Sequence, residues 1–378
     1  MHALVVNYEY PPIGGGAGRA CHSLCCELAE FDDLKISVLF GAEKKYIDVP
    51  QCGDISYYPV FYKRLSRHSV GTVGLFHFVL KATFELRQLL SSHDFDLVHY
   101  FFSVPTGLLS FLHRRRIPYL VSHRGGDVPG FNPGEYQLLH SILQPIIRAV
   151  VKDATMVCAV SDALARESEH QFGVSQVKTI PNGIVVGKSP THSVYGEGML
   201  RLITVSRLVV WKNIDQLIHA VARIKNVKLE IIGSGPEKRH LQKLVIELGV
   251  SERIVFVGAL PNDQVRNRLK LAHVFILLSI SEGMSIAILE AMAEGLPIIG
   301  GKGGGTVDLV SPGVNGILVD PANLEQIQQA ISNFVHRPET ITSFGIRSWE
   351  AAKFKFSLKA VAAAYHKAYR EIVSENER

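Results

Sequence analysis

Short runs of β-branched and other apolar residues alternate with helical patterns from one end of the chain to the other, and nothing else in the sequence narrows the fold as much. In the first half the runs are Leu4–Asn7, Lys35–Leu39, Leu97–Tyr100, Tyr119–Ser122 and Met156–Ala159. Several are apolar almost without interruption, as parallel strands covered on both faces are. Helical stretches such as Ala17–Glu30 and Asp162–Phe172 lie between them, with Ser161 the expected N-cap of the second. Residues 187–199 are rich in Gly, Ser and Pro, have no apolar period and read as a linker. The alternation then restarts. Strands are expected at Leu202–Val205, Leu229–Ile232, Ile254–Val257, Val274–Leu278 and Pro297–Gly300, and helices at Asn213–Arg223, Pro236–Leu248, Asn262–Leu271, Ser285–Glu294 and Asn323–Val335. Two consecutive βα sets predict an α/β chain with two doubly wound parallel sheets, over residues 1–190 and 200–345, and a helical segment over 346–378. In such sheets ligands bind at the carboxyl ends of the strands, here expected in a cleft between the domains.

Bulk properties exclude several classes. The 378 residues suit two domains rather than one. The net charge of +5, most of it beyond residue 190, is too small for nucleic acid to be the main partner. The longest weakly polar stretch, Ser69 to Leu80, falls short of the roughly 18 to 20 residues a membrane span needs. Met1 leads straight into a strand-like run, so no secretory leader is expected. Five cysteines without metal spacing predict free thiols and a cytoplasmic protein. Cys21 and Cys25 share an apolar helix face with Ala17, Leu24 and Leu28 and are expected to pack as small hydrophobes.

The segment from Ser279 to Asp308 carries the strongest chemical signal. A strand runs into a short loop, Ser279–Met284, and a helix comes next whose first-turn amides, around Met284, Ser285 and Ile286, favour a phosphate. Glu282 lies in the loop. Glu290, more than one turn into the helix, can offer two oxygens to vicinal hydroxyls such as those of a ribose. A second signal is Arg207 and Lys212, in a connection that leaves the carboxyl end of a strand. Two cations there can neutralise a pyrophosphate without metal, the guanidinium as a fork and the ammonium as a point charge. A third is the loop Tyr8–Gly16, where three glycines allow close approach of backbone to ligand. Read as a dinucleotide fingerprint from Gly14 it fails at Arg19, GSGPEK at Gly233 fails as well, and no Walker loop occurs. Asp94-Phe95-Asp96 has the form of a metal-binding D-x-D but lies where acids commonly turn a chain into a strand. Residues Phe61–Arg87 hold Lys63, Arg64, Arg67, Lys81 and Arg87 among aromatics. A helix resting on an anionic membrane surface and a solvated helix with one packed side are equally compatible with that pattern, and Arg114–Arg116 extend the basic face.

The order and spacing of these segments resemble glycosyltransferase family 4, the retaining family with the GT-B fold of two Rossmann-like domains. The matching segments are the YPPxxGG loop, SHRGGD at Ser122–Asp127, IPNG at Ile180–Gly183, SRLxxxKN at Ser206–Asn213, GSGP at Gly233–Pro236, RIVFVG at Arg253–Gly258, EGMSIAILE at Glu282–Glu290 and GGTVD at Gly304–Asp308. The resemblance implies that Arg207 and Lys212 hold the donor diphosphate, that Glu290 binds the ribose, and that Glu282 and the backbone of Gly283, Met284, Ser285 and Ile286 meet the transferred sugar. It further implies Gly258 beside the nucleobase, Gly15 and Gly16 near the diphosphate, and a terminal helix that returns to the first domain. Asp127 and Arg124 are the catalytic candidates of the first domain. The family often has histidine where this chain has Arg124, with His123 just before it, so either residue is a candidate to face the transferring centre. Asn213 replaces a frequent glycine and Asp308 a frequent glutamate.

The activity that the resemblance implies is that of a metal-independent retaining transferase with no cofactor. It takes a UDP- or GDP-linked sugar and a glycan or lipid-linked acceptor in surface polysaccharide, lipopolysaccharide or glycolipid synthesis, at the inner face of the membrane if the basic helix docks there. The same architecture serves nucleotide-sugar epimerases, which would isomerise donor alone, and non-catalytic sugar-nucleotide-binding subunits, which would release no nucleoside diphosphate.

Overall fold

The computed structural model describes residues 1–43, 49, 52–62, 71–131, 137–191 and 198–376. Lys63, Arg64 and Arg67 of the basic segment, and residues 192–197 of the expected linker, lie outside them. The backbone divides into two compact units, Met1–Gly183 with Leu358–Arg378, and Ile184–Ser357. The division therefore falls at residue 184 rather than near 190–200, and the chain re-enters the first unit at Leu358 rather than at 346.

The first unit contains β1 (His2–Asn7), α1 (Gly16–Leu28), β2 (Lys35–Ala42), β3 (Ile55–Phe61), α2 (Gly71–Ser92), β4 (Leu97–Phe101), β5 (Tyr119–His123), α3 (Gln137–Lys152), β6 (Met156–Ala159), α4 (Asp162–Phe172) and β7 (Lys178–Thr179). Its strands form one sheet in the order β3-β2-β1-β4-β5-β6-β7, and every pairing is parallel. β3 escapes a sequence reading because Pro59 interrupts ISYYPVF; it is tolerated because β3 is an edge strand. Ser161 caps α4 as expected, its hydroxyl accepting from Leu164 N at 3.2 Å, and Gly173 ends the helix in the left-handed region. Asp96 exchanges backbone and side-chain hydrogen bonds with His2 at the start of β1, a strand-start role.

The second unit runs β8 (Leu200–Val205), α5 (Ile214–Arg223), β9 (Val227–Ile232), α6 (Lys238–Glu247), β10 (Ile254–Gly258), α7 (Asn262–Leu269), β11 (Val274–Leu277), α8 (Ile286–Ala293), β12 (Ile298–Gly301), α9 (Thr306–Leu309), β13 (Gly316–Val319), α10 (Leu324–His336) and α11 (Glu339–Phe354). Its sheet, β10-β9-β8-β11-β12-β13, is also wholly parallel. The last helix, α12 (Leu358–Asn376), packs in the first unit beside α1.

Burial follows this layering. One face of the first sheet is closed by Leu24, Cys25 and Leu28 of α1 with Tyr365, Tyr369 and Ile372 of α12, and the other by Phe78 and Leu86 of α2 with Leu109 and Val150. Cys21, Cys25 and Cys158 are buried free thiols. Cys26 and Cys52, expected to be free, are disulfide-bonded with Cα atoms 5.3 Å apart. Cys26 lies off the core-facing stripe of α1, and a separation of 26 residues leaves no local pattern that pairs it with Cys52.

Candidate functional site

In both sheets the strand order reverses between two central strands, and the loops leaving those strands run side by side. In the second unit the reversal lies between β8 and β11. The loop after β8 carries Arg207, Trp211 and Lys212; the loop after β11 carries Ser279, Glu282 and Ser285. Two groups of residues 70 positions apart in sequence are thereby joined. Ile280 N donates to Trp211 O at 3.1 Å, and Asn213 Nδ2 donates to Leu278 O at 3.0 Å. The Lys212 ammonium pairs directly with Glu282 Oε1, which also accepts from Ser279 Oγ at 2.8 Å. Lys212 and Glu282 are mostly buried, with 13% and 17% of their side chains exposed. Arg207 is exposed, its Cζ 6.0 Å from the centre of the Trp211 indole.

Local sequence explains the shape of these loops. Asn213 takes a left-handed conformation (φ 49°) as it opens α5, the geometry for which the expected glycine is the common choice and which asparagine tolerates. Ser285 caps α8, its hydroxyl accepting from Ile288 N at 3.3 Å, and leaves the earlier amides of the first turn over. Gly303 and Gly304 wedge against this loop: a Cβ on Gly304, where φ is +52°, would stand 2.2 Å from Glu282 O. Gly305 N donates to the same carbonyl at 2.7 Å.

Glu290 is not a solvated helix carboxylate. It is 3% exposed and accepts from Asn262 Nδ2 at 2.6 Å, at the start of α7. Gly258 ends β10 with φ +91°, and a Cβ there would meet nothing within 4 Å. Asn262, Ser279 and Trp211, absent from the sequence-based candidates, hold or flank the carboxylates and cations that were singled out. Nothing in a single sequence marks Asn262 and Trp211, because their partners are 28 and 69 positions away, and a serine three residues from Glu282 in a loop carries no pattern of its own.

In the first unit the loops after β1 and β4 occupy the equivalent reversal. Gly15 N, just ahead of α1, donates to Glu9 Oε2 at 3.2 Å, and a Cβ on Gly15 would meet nothing within 4 Å; Gly16 begins the helix. Asp127 is buried and organises the loop after β5. It accepts from Ser103 N at 2.8 Å, Arg124 N at 2.9 Å and Gly125 N at 3.2 Å, and pairs with His123 Nδ1 at 2.8 Å. Burial pushes its carboxyl up, but the His123 charge and these hydrogen bonds outweigh that and hold it below its usual range. His123 stacks on Phe172 and its Nε2 has no hydrogen-bond partner. Arg124 turns the other way. Its guanidinium lies 4.0 Å over the Phe101 ring, with Nη1 donating to Asn182 Oδ1 at 2.7 Å and Nη2 to Tyr365 OH at 3.3 Å. That hydroxyl continues a buried chain through Ser122 Oγ and His99 to Tyr369, with separations of 3.1, 2.7 and 2.7 Å. Burial, with the Arg124 charge, pushes the pKa of His99 far down.

One surface of the first unit is apolar. Val73, Phe76, Leu80 and Phe84 recur at helical spacing along the outer face of α2, with Phe76 72% and Phe84 61% exposed, and Lys81 and Arg87 are exposed beside them. The neighbouring short helix, residues 106–112, exposes Phe111 under the Arg114 guanidinium at 4.4 Å, and α3 exposes Ile142 and Ile146. Among the described residues no helix is long and apolar enough to cross a membrane.

Two family profiles match the chain. One described as "Glycosyltransferase Family 4" covers residues 14–188, and one described as "Glycosyl transferases group 1" covers residues 194–377. The GDP-mannose-dependent alpha-(1-6)-phosphatidylinositol monomannoside mannosyltransferase of Mycolicibacterium smegmatis is 26% identical, across 96% of this chain and 97% of its own. Among solved structures, sucrose-phosphate synthase from Thermosynechococcus elongatus superposes with a TM-score of 0.85 at 20% identity over 99% of this chain and 100% of its own. HepE of Anabaena in complex with UDP and glucose superposes with a TM-score of 0.77 at 19% identity over 98% and 100%.

Proposed function

The chain belongs to the family 4 glycosyltransferases, with the GT-B fold, and we propose that it transfers a sugar, with retention of configuration, from a UDP- or GDP-linked donor to a hydroxyl of a glycan or lipid-linked acceptor. The observation that carries this reading is the meeting of Lys212 with Glu282 where the strand order of the second sheet reverses. A diphosphate at that point lies before the first-turn amides of α8, with Lys212 and Arg207 supplying positive charge. Glu290, steadied by Asn262, takes the ribose hydroxyls, and the open space at Gly258 takes the base. Glu282, released from Lys212 in part when phosphate arrives, accepts hydrogen bonds from the sugar.

In the reaction the bond from C1 to the leaving phosphate oxygen breaks as the acceptor oxygen bonds to C1 on the same face. The acceptor proton passes to the departing phosphate oxygen. Negative charge grows on that phosphate, where the cations and amides are already aimed, so stabilisation costs little reorganisation. Those groups do the work a divalent ion does elsewhere. The reading is tested by melting the protein with UDP-, GDP-, ADP- and dTDP-sugars, since a tight ligand raises the melting temperature by mass action. Turnover of the stabilising donor is then assayed after exhaustive chelation. Nucleoside diphosphate released only with acceptor present, and at an undiminished rate after chelation, is expected. Isomerised donor without acceptor would make the chain an epimerase, and activity restored only by Mn²⁺ or Mg²⁺ would overturn the metal-free mechanism.

A lipid-linked acceptor fits the outer face of α2. Its phenylalanines can enter the headgroup boundary while Lys81, Arg87 and Arg114 meet anionic lipid. The M. smegmatis relative is named for a phosphatidylinositol acceptor, which supports this reading. At low salt the protein is expected to float with vesicles containing phosphatidylglycerol, and Phe76→Glu with Phe84→Glu to leave it in the soluble fraction. Failure of the unaltered protein to float removes the membrane role.

A further inference from the structure

The first unit holds a second gathering of reactive side chains, remote in sequence from the second-unit residues assigned to the donor. His22 and Cys26 are one turn apart on α1, and Cys52 lies shortly before β3. One ligand atom from each lies within 4.8 Å of the other two, and among the described residues no other three His, Cys, Asp or Glu side chains gather so closely. His22 Nε2 is 3.7 Å from the Cys26 sulfur. A tetrahedral zinc ion with ordinary Zn–N and Zn–S bonds holds nitrogen and sulfur roughly 3.6 Å apart, so the two groups are near enough to share an ion once the imidazole turns its Nε2 toward it. The Tyr10 hydroxyl is 3.1 Å from His22 Nδ1, a companion of the kind that steadies a histidine ligand, and the two ring nitrogens lie 3.7 and 3.9 Å from the Cys26 sulfur. The Tyr57 hydroxyl lies 3.7 Å from the Cys52 sulfur.

We propose that, once the Cys26–Cys52 bond is reduced, His22, Cys26 and Cys52 bind one Zn²⁺, so that disulfide and metal are alternative cross-links between α1 and the segment ahead of β3. A dithiol reductant supplies the two electrons and two protons and leaves as its own disulfide. The two thiols formed each lose a proton on binding the ion, and with neutral imidazole the three-ligand site carries no net charge. A fourth position remains for water or an anion. Cys21 and Cys25, on the same helix, point into the core and take no part.

The probe is Co²⁺, which reports thiolate ligation by its charge-transfer absorption and tetrahedral geometry by its visible bands. Full-length protein reduced under argon and freed of reductant is expected to bind one equivalent, with Zn²⁺ displacing it. Oxidation by a diazene oxidant should release the cobalt without any mutation. His22→Gln is expected to weaken Zn²⁺ binding by more than the roughly 10- to 100-fold that loss of a ligand's hydrogen-bond partner costs, Cys52→Ser to abolish the charge-transfer band, and Cys158→Ser to change neither. Reduced protein in which all five cysteines titrate under denaturant, yet which gives no thiolate-to-cobalt band, overturns the proposal. So does a band that survives reoxidation.

Discussion

Lys212→Ala lowers kcat/KM for the donor on the order of 10²- to 10³-fold, as loss of one preorganised charge donor typically does. The expectation rests on position. The ammonium is held by Glu282 and mostly shielded from water, which leaves it a stronger electrostatic partner for phosphate than a surface lysine. Arg207→Ala is expected to cost on the order of 10²-fold, because its guanidinium, on the same loop as Lys212, is exposed and screened more. The loss should appear in kcat as well as in the donor KM, with the acceptor KM unchanged, since the proposed reaction builds charge on the phosphate as the bond breaks. Steady-state kinetics with both substrates varied separates these parameters, and near-native kcat/KM in Lys212→Ala would take that residue out of the mechanism.

Asp127→Ala destabilises the first unit by about 3–5 kcal/mol, the usual cost of stripping a partner from a buried, hydrogen-bonded charge network. Three backbone amides and His123 lose their acceptor together. For a unit of this size that corresponds to a fall in melting temperature of roughly 10 °C, read by calorimetry. Asp127→Asn keeps an acceptor oxygen and should lose less. The pH dependence comes from the lowered carboxyl pKa. In the unfolded chain Asp127 takes up a proton at a higher pH than in the folded one, so its contribution is complete above the ordinary carboxylate range and disappears as the pH falls through that range to the lower folded value. Wild type therefore loses its advantage over Asp127→Ala only in acid. A mutant that melts with wild type at neutral pH would show that Asp127 does not organise the loop.

The fold was legible because parallel strands buried on both faces announce themselves as uninterrupted apolar runs. β1, β4, β8 and β11, the strands flanking each reversal, are among the plainest in the chain. What escaped was governed by edges and by distance. β3 tolerates Pro59 only through its place at the sheet margin, a fact of topology with no local trace. The second-unit candidates were legible as motifs, and their meeting is a consequence of strand order: Lys212 finds Glu282 across 70 residues because β8 and β11 are neighbours. The first-unit candidates were less legible. Asp127 and Arg124 are near neighbours in sequence, but the carboxylate turns inward to bind loop amides while the guanidinium lies over Phe101 among hydroxyls that α12 supplies. Cys26 and Cys52 show the same limit, since a bond between distant residues leaves no periodicity to read.

One nucleoside diphosphate is expected to bind where the β8 and β11 loops meet. Calorimetric titration of the protein with UDP and with GDP tests it without any need to know the sugar or the acceptor. One of the two should saturate a single site per chain, and Lys212→Ala should weaken that binding at least about tenfold, the equivalent of one lost charge-assisted contact. Wild-type protein that takes up neither diphosphate, or a Lys212→Ala variant that binds as tightly as wild type, would contradict it.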